Sequence, residues 1–436
     1  GKAVGKGILL AGEAEERRFD QLGLDRSLVM SCESMGLRRP TDVQWACIPP
    51  ALQGRNIMAS AQTGSGKTAA FALPILQILS RDPFGVFALV LTPTRELAFQ
   101  IRDQFAALGA PMQLRELVIV GGLDMMTQAQ GLCRRPHVVI ATPGRLADHM
   151  KSSVGVAEAF RRTRFLVMDE ADRLLEECFE PDLAAVLDAL PANRVTMLFS
   201  ATITHSISEL QRMALEDCFQ FAADDPQTTV STVTEHYCHM PITVKDCYLV
   251  HVIRESKAPS LIVFAGTRKT CQYVTLLLEE LGEEVAALHS GLKQQKRLAS
   301  LDKFKAGRVR VLVATDVASR GLDIPTVELV VNYEIPKNPK DYIHRVGRTA
   351  RAGRSGLALS LVSQYDVGLL QEVEAHTGKQ MQDAGVAEDE VLELMTEVMK
   401  GRRIARVKML EVESEGQDDR RRGGLKRKQT AAQGSD

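Results

Sequence analysis

The chain has 436 residues, 45% of them hydrophobic and 25% charged, with a formal net charge of −1. That length carries two or three domains whose cores need neither disulfides nor structural metals, and the near-neutral charge excludes a uniformly basic nucleic-acid binder while leaving room for local basic surfaces. Eight scattered cysteines with no C-x-x-C pair, and no apolar run of roughly 18 residues, lead to the expectation of a soluble protein in a reducing, intracellular compartment.

In chain order, short apolar runs suited to buried parallel strands alternate with segments of helical period, the pattern of βαβ units. Strands are predicted over Asn56 to Ser60, Ala88 to Thr92, Leu117 to Val120, His137 to Ala141, Phe165 to Met168 and Thr196 to Ser200. A polar, proline-bearing stretch after Phe221 reads as a linker, and then the pattern restarts. Second-half strands are predicted over His236 to Met240, Leu261 to Phe264, Val285 to Leu288, Val309 to Ala314, Leu329 to Asn332 and Leu357 to Val362. A helix is predicted over Glu388 to Met399, ahead of a tail in which acidic Glu411 to Asp419 precedes basic Arg420 to Lys428, too polar to pack and expected to be disordered. The expected organisation is an α/β domain over 1–221, a linker over 222–232, a second α/β domain over 233–377, and a helical extension with a charged tail over 378–436.

The first predicted strand runs into Ala61-Gln-Thr63-Gly64-Ser65-Gly66-Lys67-Thr68 and then a helical segment, the order a phosphate-binding loop requires. Gly64 and Gly66 let backbone N–H groups converge on phosphates, Lys67 reaches the β/γ oxygens, and the Thr68 hydroxyl suits Mg²⁺. Ala61 stands where the general pattern has its first glycine, so a structural turn is the competing reading. A second strand ends in Asp169-Glu170-Ala171-Asp172, acids at a carboxyl edge where α/β sheets bind ligands. One carboxylate can hold hydrated Mg²⁺ while its neighbour orients an attacking water; the bland alternative is an acidic helix start. In the second half, Arg348, Arg351 and Arg354 recur every three residues, either as a solvated helical face or as arginine fingers on a γ-phosphate. His236, Cys238 and His239 lie close together, but alternate strand residues face opposite sides, so no metal site is expected there.

These runs, with Phe19, Gly36 to Gln44 and Pro136 to His149, resemble the DEAD-box RNA helicases in motif order and spacing from Phe19 to Arg354; the segment Pro136 to His149 is most similar to a subgroup associated with nucleolar ribosome assembly. The resemblance implies two tandem RecA-like domains, parallel sheets flanked by helices, that close on ATP and RNA. It implies that Phe19, Thr41 and Gln44 read adenine, that Thr63 to Thr68 hold phosphates, and that Gly321 and Asp323 face the ribose and phosphates. Physically, a glutamine amide can bond adenine bidentately and an aromatic ring can stack on it. Thr68 and Asp169 would share Mg²⁺, partly through water, and Glu170 would orient the attacking water. Lys67, Arg348 and Arg351 would hold the γ-phosphate, while Asp172, Ser200, Thr202 and His344 would link the ATP side to the RNA side.

RNA contacts are implied at Pro93, Thr94, Arg95, Gly121, Gly122, Thr142, Pro143, Gly144 and Arg145, and in the second domain at Thr267, Arg268, Gln294, Arg297, Thr315 and Asp316. Hydroxyls, glycine backbone and arginines suit phosphates and 2′-OH groups, so single-stranded or duplex RNA should bind independently of sequence, although each loop alone could be an ordinary turn. The resemblance implies RNA-stimulated ATP hydrolysis, local duplex unwinding or ribonucleoprotein remodelling in ribosomal RNA processing, a nuclear and nucleolar location, no membrane partner, and pre-ribosomal particles and a protein activator as candidate partners. The same motifs would serve an ATP-gated RNA clamp or scaffold with little unwinding, and a DNA helicase of the wider superfamily is a second rival.

Overall fold

A computed structural model describes residues 17–61, 64–152, 155–175, 179–200, 218–223, 233–316, 324–349 and 356–411. Thr63, Thr202, Gly321, Asp323 and Arg351, and the basic run Arg420 to Lys428, lie outside the described residues. The chain forms two compact units, Gly1–Pro226 and Gln227–Asp436.

In the first unit, β1 (Ile57–Ser60), β2 (Ala88–Leu91), β3 (Glu116–Ile119), β4 (Val138–Ala141), β5 (Phe165–Asp169), β6 (Val195–Ser200) and β7 (Phe219–Ala222) form one sheet in the order β3-β4-β2-β5-β6-β1-β7. Every pairing is parallel. The inner strands are apolar without alternation because helices cover both faces: β1, β2, β4 and β5 are buried at every residue. On one face Phe71 packs against Phe105 and Phe199 at centroid distances of 6.1 and 5.3 Å. On the other, Leu89, Phe160 and Leu166 belong to a separate core.

The second unit holds β8 (Val233–His239), β9 (Leu261–Ala265), β10 (Val285–Leu288), β11 (Val311–Thr315), β12 (Leu329–Asn332), β13 (Gly356–Val362) and β14 (Gln382–Asp383), ordered β10-β11-β9-β12-β13-β8-β14. Numbered from its own first strand, this is the same order as in the first unit.

Twelve of the fourteen strands fall on the predicted runs, shifted by up to three residues. The other two, β7 and β14, are two of the four edge strands and fall on no predicted run. β7 is only half-buried and carries no continuous apolar run, and β14 is two residues long. The expected boundary at Thr377 also moves. β14 pairs with β8, and the helix predicted over Glu388 to Met399 is two helices, Glu388–Glu393 and 395–411. Val391 and Val398 are fully buried in the core of the second unit beside Cys247 and Leu249, and Ala405 packs on Leu276 and Leu277. Arg254 pairs with Glu397 at 2.8 Å and Arg402 with Asp246 at 3.4 Å. As far as residue 411, the expected extension is therefore part of that unit. Among the described residues no helix is long and apolar enough to cross a membrane.

Candidate functional site

The phosphate-binding loop begins between two strand ends, where Ala61 N donates to Ser200 O at 3.0 Å. Gly66 sits at φ 91° and caps the helix Lys67–Leu79. A Cβ there would fall 2.3 Å from Gln44 Nε2, so glycine is needed for both backbone and space. Lys67 is buried, and its Nζ donates to Ala61 O at 2.8 Å across the loop. Thr68 is half-buried at the start of the helix, and the buried Ser65 Oγ has no hydrogen-bond partner among the described residues.

Gln44 ties this loop to the start of the helix Asp42–Leu52: its Nε2 donates to Gly66 O at 3.0 Å and its Oε1 accepts from Thr41 N at 3.0 Å. A carboxamide has two N–H groups and two oxygen lone pairs, so each atom keeps one further bond for a base. Phe19, only 3% exposed, belongs to the core and also lines a cleft of ≈ 290 Å³ with Leu37, Arg38 and Arg39.

Asp169 is the last residue of β5 and Glu170 turns into the left-handed region at φ 53°, which is strain in a non-glycine residue. Glu170 N donates to Asp169 Oδ1 at 3.1 Å. Both carboxyls are buried. Burial pushes Asp169 above the usual carboxylate range against the pull of Lys67. Burial, and then the neighbouring Asp169 charge, push Glu170 up to about 7 despite Arg173 and Lys67. Glu170 Oε2 has no hydrogen-bond partner among the described residues, which is costly for a buried group and fits a water or polar ligand. Asp172 lies on the short helix Ala171–Leu174, and Ser200 ends β6 opposite Ser60. Lys67, Asp169, Glu170 and Ser200 thus converge at the carboxyl ends of the adjacent strands β5, β6 and β1. A cation facing buried, uncompensated acids suits a polyphosphate with a divalent cation.

The other half of the same edge, after β3, β4 and β2, gathers the predicted RNA loops. Thr94 caps the helix Arg95–Leu108 by accepting from Leu97 N at 3.4 Å. The Arg95 guanidinium lies against Gly121 and Gly122, where a Cβ on Gly122 would fall 2.3 Å from its Nη1. Pro143, Gly144 and Arg145 open the helix Pro143–Ser152, Thr142 N donates to Ile119 O at 3.0 Å, and Arg145 Nη1 reaches Leu123 O at 3.5 Å. Loops distant in sequence meet because the strand order makes their strands neighbours.

The second unit repeats this arrangement. Thr267 caps the helix Arg268–Glu280, accepting from Thr270 N at 3.0 Å, and Gly291, in the loop after β10, faces the Arg268 side chain. Gln294 and Arg297 are buried at the start of the helix Gln294–Lys305, and Thr315 ends β11.

Asp316 is held bidentately by Arg345, Nε to Oδ1 at 2.5 Å and Nη2 to Oδ2 at 2.7 Å. Arg345, 2% exposed, also donates to Asn332 Oδ1 at 3.0 Å and Glu334 O at 2.6 Å and lies 5.1 Å over the Phe264 ring. Glu334 Oε2 in turn accepts from Gly266 N at 2.6 Å, directly before Thr267. Sequence reasoning assigned Arg345 and Glu334 no role. The signal available was the buried face Tyr342, Arg345 and Val346 of the helix Pro339–Val346, which also carries His344; Arg348, 2% exposed, follows it.

Two tandem parallel sheets of identical order, the first with a phosphate-binding loop after its β1 and an acid pair after its β5, define a two-domain nucleotide hydrolase of the RecA-like class. Family models for the DEAD/DEAH box helicase and the helicase conserved C-terminal domain match residues 41–210 and 244–353. The chain is 51% identical over 425 residues to the Probable ATP-dependent RNA helicase DDX49 of Homo sapiens, covering 96% of this chain and 87% of that protein. It is 50% identical over 389 residues to the ATP-dependent rRNA helicase RRP3 of Mycosarcoma maydis, covering 89% of this chain and 69% of that protein. Among solved structures, Dbp5 of S. cerevisiae bound to RNA and ADP BeF3 matches with a TM-score of 0.77 and 29% identity, over 88% of this chain and 100% of that one. The chain belongs to the DEAD-box family of ATP-dependent RNA helicases.

Proposed function

We propose that this helicase opens short RNA duplexes or remodels RNA–protein contacts locally during ribosomal RNA processing, in the nucleolus, with pre-ribosomal particles and a protein activator as partners. The observation that carries the mechanism is the buried Glu170 carboxyl, unsatisfied at Oε2 and raised to about 7 beside Lys67 and Asp169. Such a group is suited to take a proton from an attacking water. Asp169 and Thr68 would hold Mg²⁺, which neutralises phosphate charge when bound; the burial of two adjacent acids facing one lysine supports that fit. Gln44, Thr41 and Phe19 receive adenine, the 63–68 loop receives the phosphates, and Gly321 and Asp323 face the ribose.

Arg348 and Arg351 supply charge to the γ-phosphate as it leaves, and Asp172, Ser200, Thr202 and His344 carry its presence to the RNA loops. Arg95, Arg145, Arg268 and Arg297, with Pro93, Thr94, Gly121, Gly122, Thr142, Pro143, Gly144, Thr267, Gln294 and Thr315, grip phosphates and 2′-OH groups without reading bases. Asp316 joins this set while also holding Arg345. The rRNA assignment draws on the relative named as an rRNA helicase. The test is ATP turnover and short-duplex unwinding with RNA and with DNA of the same sequence. RNA should stimulate strongly and DNA weakly, and failure to separate a short RNA duplex would overturn the unwinding reading. Depletion in cells should accumulate rRNA precursors.

A further inference from the structure

The described motifs of the first sheet lie on its carboxyl edge, yet its amino edge carries a concentration of charge that none of them uses. Arg115 precedes β3, Arg134 and Arg135 precede β4, and Arg161, Arg162 and Arg164 precede β5, while β3-β4-β2-β5 are successive neighbours. Backbone bonds hold these approaches side by side: His137 N donates to Arg115 O at 2.7 Å, Phe87 N to His137 O at 2.8 Å, and Arg164 N to Phe87 O at 2.9 Å. At about 4.8 Å per strand the row spans about 14 Å. All six arginines are exposed, and among the described residues none is in an ion pair. The acids nearby in sequence, Asp82, Glu116 and Glu158, are fewer. In a chain of net charge −1 this is a pronounced local excess.

The row borders a cleft of ≈ 500 Å³ lined by Phe84, Arg135, Val156, Glu158 and Arg162. Arg162 lies 5.0 Å over the Phe84 ring. Strained backbone shapes the rim. Arg135 and the buried, β-branched Val86 both sit at φ 48°, and Val86 is held there by Pro136 O, which accepts from its N–H at 2.5 Å, and by Thr163 Oγ1, which donates to its carbonyl at 3.2 Å.

We propose that this amino edge is a second RNA surface, with phosphates along the arginine row and one unpaired base in the cleft against Phe84 and Arg162. Guanidinium groups pair bidentately with phosphate, and an aromatic ring beside an arginine is a sequence-tolerant platform for a base. The cleft volume lies in the range of small-ligand sites. The inference rests on the chain being an RNA helicase and adds a place where it holds RNA. The two edges are separated by strands of four residues, roughly 10 Å, plus the loops at either end. A short single strand bound at the carboxyl edge stops short of the arginine row, whereas a long structured RNA reaches both.

The test compares the full chain with the triple variant Arg115→Gln, Arg135→Gln, Arg162→Gln, none of which touches the motif edge. The probes are a short oligouridylate and a long stem-loop RNA with single-stranded flanks. The expected result is unchanged ATPase stimulation and affinity with the oligouridylate, about tenfold or greater loss of affinity for the long RNA, and a log–log salt slope flatter by about 2 at roughly 0.7 per contact. Lysines at the same three positions should restore much of the slope. Wild-type affinity and slope for the long RNA in a folded triple variant would overturn the proposal. Polyglutamate binding that the triple variant loses, with RNA binding intact, would overturn it in favour of an acidic protein partner. Equal loss of affinity for the oligouridylate would overturn the separation of the two surfaces. Absence of stimulation by oligouridylate in the wild type would instead count against the motif-edge reading.

Discussion

The two units have the same strand order, and each places a threonine-capped helix after the second strand of its sheet, at Thr94 and at Thr267, yet they treat the acids at their strand ends in opposite ways. Glu170 stands five residues after the start of β5, and Glu334 five residues after the start of the equivalent strand β12. Glu170 is left with an unsatisfied oxygen and a raised pKa, whereas Glu334 accepts from Gly266 N and Asp316 is clamped by Arg345. In the same way Asp246 accepts from both Tyr273 and Tyr333, at 2.6 and 2.7 Å. The first unit therefore keeps uncompensated charge where a ligand is to complete it. The second spends its acids on internal bonds that fix the residues it presents.

If that contrast is right, the largest expected effect comes from exchanging the two glutamates for glutamine. Glu170→Gln should lower RNA-stimulated ATP turnover by about 10²-fold or more while ATP and RNA still bind. Glu334→Gln should leave turnover within a few fold, since an amide oxygen can still accept from Gly266 N. Equal loss in both variants, read in a steady-state ATPase assay, would abolish the distinction. Next in size, Arg345→Ala removes a buried guanidinium, leaves the partly buried Asp316 unpaired and should cost about 3–5 kcal/mol in denaturant unfolding. Arg95→Ala, at a half-buried position beside Gly121 and Gly122, should cost less than about 1 kcal/mol and weaken RNA binding instead.

Smaller still, Val398→Ala should destabilise the second unit by about 2 kcal/mol, from lost apolar burial and a residual cavity, and leave the unfolding of the first unit unchanged. An unchanged midpoint for the second unit would detach the helix over 395–411 from its core. The smallest effect is a gain. Because the Glu170 carboxyl is raised from 4.5 to about 7 in the folded chain, its ionisation costs stability that is absent below about 4.5 and complete above about 7. Glu170→Gln should therefore raise the stability of the nucleotide-free protein on the order of 1 kcal/mol near pH 8, the raised value being already net of the attraction to Arg173 and Lys67. No gain should remain near pH 4. A pH-independent change in melting temperature would argue that the Glu170 carboxyl titrates normally.

The inner strands, the phosphate-binding loop and the Asp169 to Asp172 acids could be read from the amino-acid order alone because each is a contiguous run. A strand buried on both faces must be continuously apolar, and a loop that wraps phosphates must bring its glycines and lysine within a few positions. β7 and β14 carry no such run, since β7 alternates half-buried with exposed residues and β14 is two exposed residues long. Val391, Val398 and Ala405 recur at helical spacing, but only packing reveals that this face closes the core of the second unit. Likewise Gly266 and Glu334 are 68 residues apart and meet only because β9 and β12 are neighbours. The six arginines of the amino edge form one row for the same reason. Sequence determined the fold class and the family and nominated the candidate site residues, since backbone hydrogen bonding and phosphate chemistry act over short stretches. Tertiary structure alone decided which charges are neutralised and which stay open, because burial and charge pairing depend on which strands lie side by side.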